Sequence, residues 1–425
     1  MCKFADKTFD DVKRLLLSAI CLLCLALQSM AQRNEILSDH IATLQVVADD
    51  DWLSMPVIKL NSRERIYIKF DDLTHQYNRY AYKVIHCEAD WSESEEIFDS
   101  DYIDGFADGN TIDDMEESLN TNVLYTHYSL TLPNENCRLK MSGNYKVVVY
   151  DDNNDNEPML VACFMVLEPV MTVRMEVTPN TDIDVNKSHQ QVSMEIGYQG
   201  LQVLQPERQI STVVLQNGRW DNAKINVKPQ FTMADGLRWD HNRQLIFDAG
   251  NEYHKFEVLD TDHPTLGIDK IRWDGEVFHA YVFPDEPRPN YLYDEDANGA
   301  FYIRNSDNVE NDRLTDYVQV HFQLMCPQPV KDDVFVNGVW TNDRFLPKYR
   351  MEYDYESRSY QLTLPLKMGY YSYQYVTLDG EGFTQIMPTE GSFFQTENEY
   401  YALIYYRELS GRTDRLVGYQ KVQFK

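Results

Sequence analysis

Apolar and polar residues alternate with a period of two along most of the chain. In "RIYIKFDDL" the side chains of Ile66, Ile68 and Phe70 fall on one face, and in "GNYKVVVYDD" those of Tyr145 and Val147 do the same. Alternation of this kind predicts strands with one buried face. Because Gly, Asn, Asp and Pro separate the runs, the pattern is typical of an antiparallel β-sandwich.

The same pattern recurs twice more, so we expect three sandwich domains. The prolines of "PDEPRP" (284–289) suggest a linker, since proline cannot donate a ladder hydrogen bond. The sequence contains no long amphipathic helical pattern. The predicted fold is therefore all-β, with tandem antiparallel sandwiches of the Ig-like or early-set-like kind. The predicted segments are a signal peptide at 1–31, a first β-sandwich domain at 32–168, a second at 169–286 and a third, early-set-like domain at 287–425.

One short motif occurs in both the second and the third predicted domain. "VVLQNGRWDN" (213–222) and "VFVNGVWTN" (334–342) each contain an apolar strand, Asn-Gly, one residue, Trp, one residue and Asn. Asn-Gly favours a type I′ turn, because both central residues of that turn need positive φ. We therefore expect the same hairpin in both domains.

Residues 351–376 contain seven tyrosines, for which there are two interpretations. The rings either stack on sugars or form the packing faces of antiparallel strands. Tyr371, Tyr373 and Tyr375 share one face, and the stretch contains no Trp. The pattern resembles the glycogen-binding (early-set) β-sandwich, in which sugar binding depends on exposed Trp pairs. We therefore favour packing faces over a glycan site.

The N-terminus has the pattern of an export signal. Basic residues precede the apolar run "LLLSAICLLCLAL" (15–27), and Ser29 and Ala31 provide a small-x-small cleavage site. The run is shorter than the ~20 residues that a membrane-spanning helix needs. We expect cleavage after Ala31 and an exported mature chain that begins at Gln32 and does not insert into a membrane.

The chain is strongly acidic. It has 39 Lys and Arg against 68 Asp and Glu. The predicted signal peptide contains four of these basic residues and three of the acidic ones, which leaves 35 and 65 and a formal net charge of −30. Such a charge repels nucleic acid and anionic lipid headgroups, so a folded protein, a neutral ligand or a cation remains as a partner.

Four cysteines follow the predicted signal peptide: Cys87, Cys137, Cys163 and Cys326. Disulfides persist in exported proteins. Cys163 lies inside an apolar strand and is interpreted as buried. A Cys87–Cys137 bridge is the predicted pairing, and closing a loop of about fifty residues would stabilise the fold by about 4 kcal/mol.

The motif search finds no chemistry. The ten histidines form no His-Glu-x-x-His, and the sequence has no P-loop, dinucleotide fingerprint or Gly-x-Ser-x-Gly. Two acidic loops, "DEDANG" (294–299) and "DDNNDNE" (151–157), offer oxygen ligands. The first lacks the bidentate Glu of a calcium loop and the second lacks its turning Gly, so we interpret both as hairpin turns. We therefore predict no catalytic, cofactor-binding or metal-ligating residue.

Taken in order, these segments resemble the type IX secretion system plug protein family, from Ile41 to the C-terminus. Residues 259–279 depart from the family pattern. The resemblance is carried by "PVIKLNSRERIYIKFDDLTHQYNRYAYKVIHCEADW" (56–91), "DYIDGF" (101–106), "YTHYSLTLPNENC" (125–137), "SGNYKVVVY" (142–150), "VVLQNGRWDNA" (213–223), "FDAGNEYHKFEV" (247–258), "VFVNGVWTND" (334–343), "LKMGYYSYQYV" (366–376), "TEGSFFQTENEYYALIYYREL" (389–409) and "GRTDRLVG" (411–418).

The resemblance implies a periplasmic protein without enzymatic activity or cofactor. Such a protein would bind the periplasmic opening of the outer-membrane translocon β-barrel and close it when no cargo is exported. It would be peripheral to the outer membrane through this protein partner, and the motifs identify none of the contacting residues. The alternative is a non-catalytic glycan-binding periplasmic or surface protein, which rests on the early-set likeness of the third domain.

Overall fold

The structure, a computed structural model, describes residues 34–425, which form mostly antiparallel β-sheets. The all-β prediction is confirmed. The predicted signal peptide and its cleavage site lie outside the described residues. None of the helices in residues 34–425 is long and apolar enough to cross a membrane. The helices are α1 (Asp99–Tyr102), α2 (Pro206–Gln209), α3 (Asn311–Leu314) and three 3-10 turns at Arg243–Leu245, Val339–Thr341 and Pro347–Tyr349.

The strands fall into three runs along the chain. The first run is β1 (Glu35–Ile36), β2 (Ile41–Ala48), β3 (Val57–Lys59), β4 (Ile66–Asp72), β5 (Tyr80–Cys87), β6 (Ile103–Gly105), β7 (Asn110–Thr111), β8 (Asp114–Glu117), β9 (Thr126–Leu132), β10 (Cys137–Leu139), β11 (Gly143–Asp151) and β12 (Glu157–Leu167). The second run is β13 (Thr172–Thr178), β14 (His189–Gly197), β15 (Ile210–Gln216), β16 (Lys224–Ile225), β17 (Phe231–Thr232), β18 (Gly236–Trp239) and β19 (Ile246–Asp248). The third run is β20 (His254–Val258), β21 (Ile268–Trp273), β22 (Phe278–Val282), β23 (Phe301–Ile303), β24 (Tyr317–Met325), β25 (Asp333–Asn337), β26 (Glu352–Asp354), β27 (Ser359–Lys367), β28 (Gly369–Leu378), β29 (Thr384–Ile386), β30 (Asn398–Tyr406) and β31 (Arg415–Phe424).

The first sandwich packs two sheets around one apolar core. One sheet has the order β1-β12-β11-β5-β7, with β3 parallel to β12, and the other has the order β2-β4-β9-β8. Ile66, Ile68 and Phe70 of β4 face Tyr145 and Val147 of β11, and all five side chains are buried in this core. The alternation in the sequence therefore identified the buried faces correctly, because one residue in two on such a strand points inward.

The second sandwich is completed by the last two strands of the chain. Sheet β13-β14-β18-β17 packs against sheet β16-β15-β30-β31. In the second of these sheets β15 pairs antiparallel with β30, in a register that places Val213 opposite Leu403. Strands β13, β14, β15 and β18 thus share one core with β30 and β31, which lie at the end of the chain.

The third sandwich surrounds the tyrosine-rich stretch. Sheet β21-β22-β24-β27-β26 faces a sheet centred on β28, which pairs with β20 and β23 along its first half and with β25 and β29 along its second half. Tyr371, Tyr373 and Tyr375 of β28 are buried in the core between these sheets. The interpretation of the tyrosines as a packing face is confirmed.

The predicted boundary between residues 286 and 287 does not separate these sheets. Strand β22 precedes it and pairs parallel with β24, which follows it. Asp285, in the segment interpreted as a linker, forms a parallel bridge with Leu324. The alternating pattern indicates strands but not their partners. We propose that residues 254–386 form a sandwich inserted between β19 and β30 of the second one.

The first and second sandwiches also pack on each other. The outer face of the β12-β11-β5 sheet lies against the outer face of the β15-β30-β31 sheet, with an apolar layer between them that includes Trp91, Met165 and Trp220. Within this layer the Tyr405 hydroxyl donates a hydrogen bond of 2.9 Å to the Asn144 side chain. Four sheets are therefore stacked face to face, with three apolar layers between them.

The two Asn-Gly motifs adopt different conformations. Asn217 and Gly218 have φ of 54° and 68°, as a type I′ turn requires. Asn337-Gly338 instead continues as extended backbone, since Gly338 has a φ of −166° and a 3-10 turn follows it. A Cβ atom on Gly338 would lie 2.8 Å from the Ser372 carbonyl oxygen and collide with the Trp340 indole. The second motif is therefore a close packing contact and not a hairpin.

We expect Gly338→Ala to lower the free energy of unfolding by about 1–3 kcal/mol, because the added methyl overpacks this contact. Gly380→Ala is the matched control, since no atom lies within 4 Å of its Cβ position. The control should stay within about 0.5 kcal/mol of the wild type. Urea unfolding followed by tryptophan fluorescence measures both. Equal values for the two variants would contradict the packing argument.

Candidate functional site

A fully buried ion pair connects the first and third sandwiches. Lys367, the last residue of β27, lies 2.7 Å from the carboxylate of Asp71 on β4, and the two residues are 1% and 0% exposed. The Tyr317 hydroxyl and the His127 Nδ1 each donate to this carboxylate at 2.7 Å. Lys367 also donates to the Asp312 carbonyl oxygen at 2.8 Å. We call these five residues the Asp71 cluster.

The Asp71 cluster has the residue types of an active site, but its central pair, Asp71 and Lys367, is buried. Burial opposes a charge on Asp71, but Lys367 and His127 outweigh it and hold the pKa of this carboxyl below its usual range. Both carboxylate oxygens already accept hydrogen bonds from side chains of the protein. A general base must reach a substrate proton. The arrangement therefore joins two sandwiches, and the Asp71 carboxylate is engaged by side chains of the protein itself.

A second buried cluster lies where the third sandwich leaves and rejoins the second. His254 at the start of β20 donates through Nδ1 to Asp285 at 2.8 Å and through Nε2 to Glu390 at 3.0 Å. The hydroxyls of Tyr373 and Tyr375 donate to the other Asp285 oxygen at 2.8 and 2.6 Å. We call this set the His254 cluster.

The His254 cluster carries a buried positive charge. Burial lowers the pKa of His254, but the carboxylates of Asp285 and Glu390 outweigh this effect and raise it to about 9. Arg288 donates to Glu390 and, at 2.8 Å, to the Glu252 carbonyl oxygen. Asp285 and Arg288 both belong to the proline-rich segment 284–289. That segment is therefore fixed by ionic contacts.

A cleft of about 590 Å³ lies beside the Asp71 cluster, and His127 and Asp312 of that cluster form part of its lining. Its floor is the outer face of the β2-β4-β9-β8 sheet, including Tyr67, Lys69 and Ser129, and its far wall is formed by Tyr302 and Asp312 of the third sandwich. The sequence pattern does not predict this cleft, because its two walls are far apart in the chain. The alternation of Asp and Glu with Met in "DDMEES" (113–118) was the available signal, since it marks an acidic outward face.

The tryptophans bear on the glycan alternative. All six lie in residues 34–425. The Trp52 ring contacts that of Tyr302, with a centroid distance of 5.3 Å and an interplanar angle of 34°, where the first and third sandwiches meet. Trp273 is 48% exposed at a sheet edge and packs at 4.6 Å on Phe278. The described part of the chain thus offers no pair of exposed Trp rings as a sugar platform. The remaining four are buried: Trp91, Trp220, Trp239 and Trp340.

The predicted Cys87–Cys137 disulfide is not formed in this structure, in which both residues are free and buried. Cys87 packs in the layer between the first two sandwiches, whereas Cys137 packs in the core of the first sandwich. Spacing in the sequence does not show which face of a sheet a cysteine occupies, and here the two lie in different cores. Burial raises the pKa of both thiols to about 12. Cys163 is buried, as predicted.

The two acidic loops form turns. In "DEDANG", Asp294 pairs with Lys255 at 2.6 Å and Asp296 accepts the Asn298 backbone N–H at 2.6 Å. Burial raises the pKa of Asp296 to about 7. "DDNNDNE" connects β11 to β12, with the Asp151 side chain accepting a local backbone N–H. Among residues 34–425, no group of three or more His, Cys, Asp and Glu side chains is arranged to hold a metal ion.

The chain is therefore a β-protein of several sandwiches, and buried polar clusters join these sandwiches to one another. Residues 41–168 match the family described as "Type 9 secretion system plug protein 1st domain". A solved structure of a hypothetical protein from Parabacteroides merdae is 37% identical, with a TM-score of 0.89, and the match covers 92% of this chain and 99% of that one. A search of curated proteins found no match.

Residues 41–168 thus form a domain of the type 9 secretion system plug protein family. The matched segment, residues 41–168, coincides with the first sandwich and includes both Asp71 and the floor of the cleft.

Proposed function

We propose that this protein is a periplasmic plug that binds the periplasmic opening of the outer-membrane translocon barrel and closes it when no cargo is being exported. The family match of residues 41–168 is the observation that carries the proposal. Closing a pore needs shape complementarity and an interface of at least ~1,200 Å², and it needs no chemistry.

The packing of the sandwiches supports this role. A plug has to keep its shape against a wide opening, so its parts must not move independently. The Asp71 cluster joins the first sandwich to the third, and the apolar layer around Trp91 and Trp220 joins the first to the second. Buried ion pairs and packed apolar layers hold one arrangement in place, because separating either one exposes unpaired charge or apolar surface.

The charge of the chain supports attachment through a protein. The formal net charge is −29 for the full sequence. Anionic headgroups repel a protein of this charge, so adhesion to lipid does not provide localisation. The burial of four of the six tryptophans argues against the glycan-binding alternative.

Deleting the gene is expected to make the outer membrane permeable to large polar antibiotics while secretion largely continues, because the unplugged barrel stays open. The measurement is antibiotic sensitivity together with the amount of exported cargo. The wild-type gene should restore resistance, and a gene for residues 32–425 without the predicted signal should not. Purified protein should co-purify with the isolated barrel. Unchanged permeability together with α-glucan binding by the purified protein would replace the plug proposal with the glycan alternative.

A further inference from the structure

The cleft between the first and third sandwiches is strongly acidic. Asp49 and Asp50 stand at one end of it, and Asp114 and Glu116 of the edge strand β8 stand along its side. Asp50, Asp114 and Glu116 are solvent-exposed. The cleft contains one lysine, Lys69, which is already paired with Asp312 at 2.7 Å. Lys69 therefore does not neutralise the other four carboxylates of the cleft, which belong to Asp49, Asp50, Asp114 and Glu116.

His127 provides an independent indication of what the cleft binds. The residue lines the cleft and is only 3% exposed. Its Nδ1 donates to Asp71 at 2.7 Å, whereas its Nε2 has no hydrogen-bond partner among residues 34–425. An Asp312 carboxylate oxygen lies 3.6 Å from Nε2, which is outside hydrogen-bond distance. With the ring proton on Nδ1, the Nε2 atom is an acceptor that lacks a donor.

Both observations call for the same kind of ligand. Carboxylates in excess of the lysine in the cleft attract a cation, and a buried acceptor requires an N–H donor. An ammonium or guanidinium group satisfies both. Tyr67, Trp52 and Tyr302 add aromatic surface to the cleft lining, against which the methylene stem of a lysine or arginine can pack.

We propose that this cleft binds an extended, lysine- or arginine-bearing segment of a protein partner, with the cationic group held between the rim carboxylates and the His127 Nε2. This assignment rests on the proposed function, in which the partner segment belongs to the periplasmic side of the translocon. The segment contacts the first and third sandwiches together, since the two walls of the cleft come from these two bodies.

The test uses the purified mature chain and a fluorescent synthetic peptide that alternates lysine with valine. Asp114→Lys with Glu116→Lys should raise the Kd for this peptide at least about tenfold, because the rim then repels the cation. The matched control, Glu176→Lys with Glu352→Lys, makes the same change of net charge at exposed strand positions outside the cleft, and should change the Kd less than about twofold.

A neutral variant separates the cleft from general electrostatics. Ser129→Trp fills the floor of the cleft without changing the charge. It should raise the Kd for the lysine peptide to the same extent as the rim variant. A peptide with glutamate in place of lysine should not bind to the wild type. Equal weakening by the rim and control variants, or no binding of the lysine peptide by the wild type, would overturn the proposal.

Co-purification with the barrel distinguishes this proposal from the plug function. If the wild type does not bind the barrel although it binds the peptide, the proposed function fails and the cationic site stands. If the wild type and all variants bind the barrel equally, the plug function stands. The proposal that a translocon segment binds in this cleft is then overturned. Selective loss of barrel binding by the rim and Ser129→Trp variants supports both.

Discussion

Replacing Lys367 by Met is expected to lower the free energy of unfolding by about 3–5 kcal/mol. The substitution removes the ammonium group that lies 2.7 Å from Asp71, at a site where both residues are at most 1% exposed. The Asp71 carboxylate then remains buried with only the Tyr317 hydroxyl and His127 to compensate it. A buried charge that loses its partner retains its full desolvation cost. Urea unfolding followed by tryptophan fluorescence gives the loss.

Two further variants decide whether this loss comes from the charge. Lys59→Met removes a lysine that is 61% exposed and lies 3.9 Å from Glu64, and it should cost less than about 1 kcal/mol. Lys367→Met combined with Asp71→Asn removes both charges but keeps an acceptor for Tyr317, so it should recover part of the stability. If the double variant is less stable than Lys367→Met alone, the buried charge is not the cause.

The strands and their buried faces could be predicted from the sequence, but their partners could not. Period-two alternation placed Ile66, Ile68 and Phe70 in a core because side chains of one strand alternate between two faces. The same pattern in "YYALIYYREL" (400–409) was assigned to a third domain that follows the linker-like prolines. It pairs instead with β15, almost two hundred residues earlier. Pairing depends on complementary surfaces in three dimensions, which a local pattern does not record.

The polar clusters were not predictable for a related reason. Asp71 stands in "FDDL" at the end of a strand, where an acidic residue is ordinarily a turn residue. Lys367 ends an alternating strand and has the sequence context of an exposed position. Each residue becomes buried only because the other sandwich covers it. The predicted Cys87–Cys137 bridge has the same difficulty, since a strand that is buried on both faces gives no signal for which core each side chain enters.

The His254 cluster predicts a pH dependence in the alkaline range. The pKa of His254 is 6.5 in its unperturbed state, and burial, which lowers it, is outweighed by Asp285 and Glu390, which raise it to about 9 in the folded protein. A raised folded-state pKa means that the stabilisation is complete below pH 6.5 and is lost as the pH rises through 9. The difference corresponds to about 3 kcal/mol of unfolding free energy.

The comparison with His254→Gln isolates this effect. The glutamine side chain does not titrate, so the stability of the wild type relative to the variant should fall by about 3 kcal/mol between pH 6 and pH 9.5. Tyr373 and Tyr375, which also face Asp285, stay protonated across this range because burial and the carboxylate raise their pKa well above 10. His241→Gln is the matched control. The His241 side chain is 82% exposed, so solvent screens its pairing with Asp182. The stability of this variant should therefore depend on pH in nearly the same way as that of the wild type. Parallel curves for the wild type and His254→Gln would show that no buried imidazolium holds the third sandwich to the second.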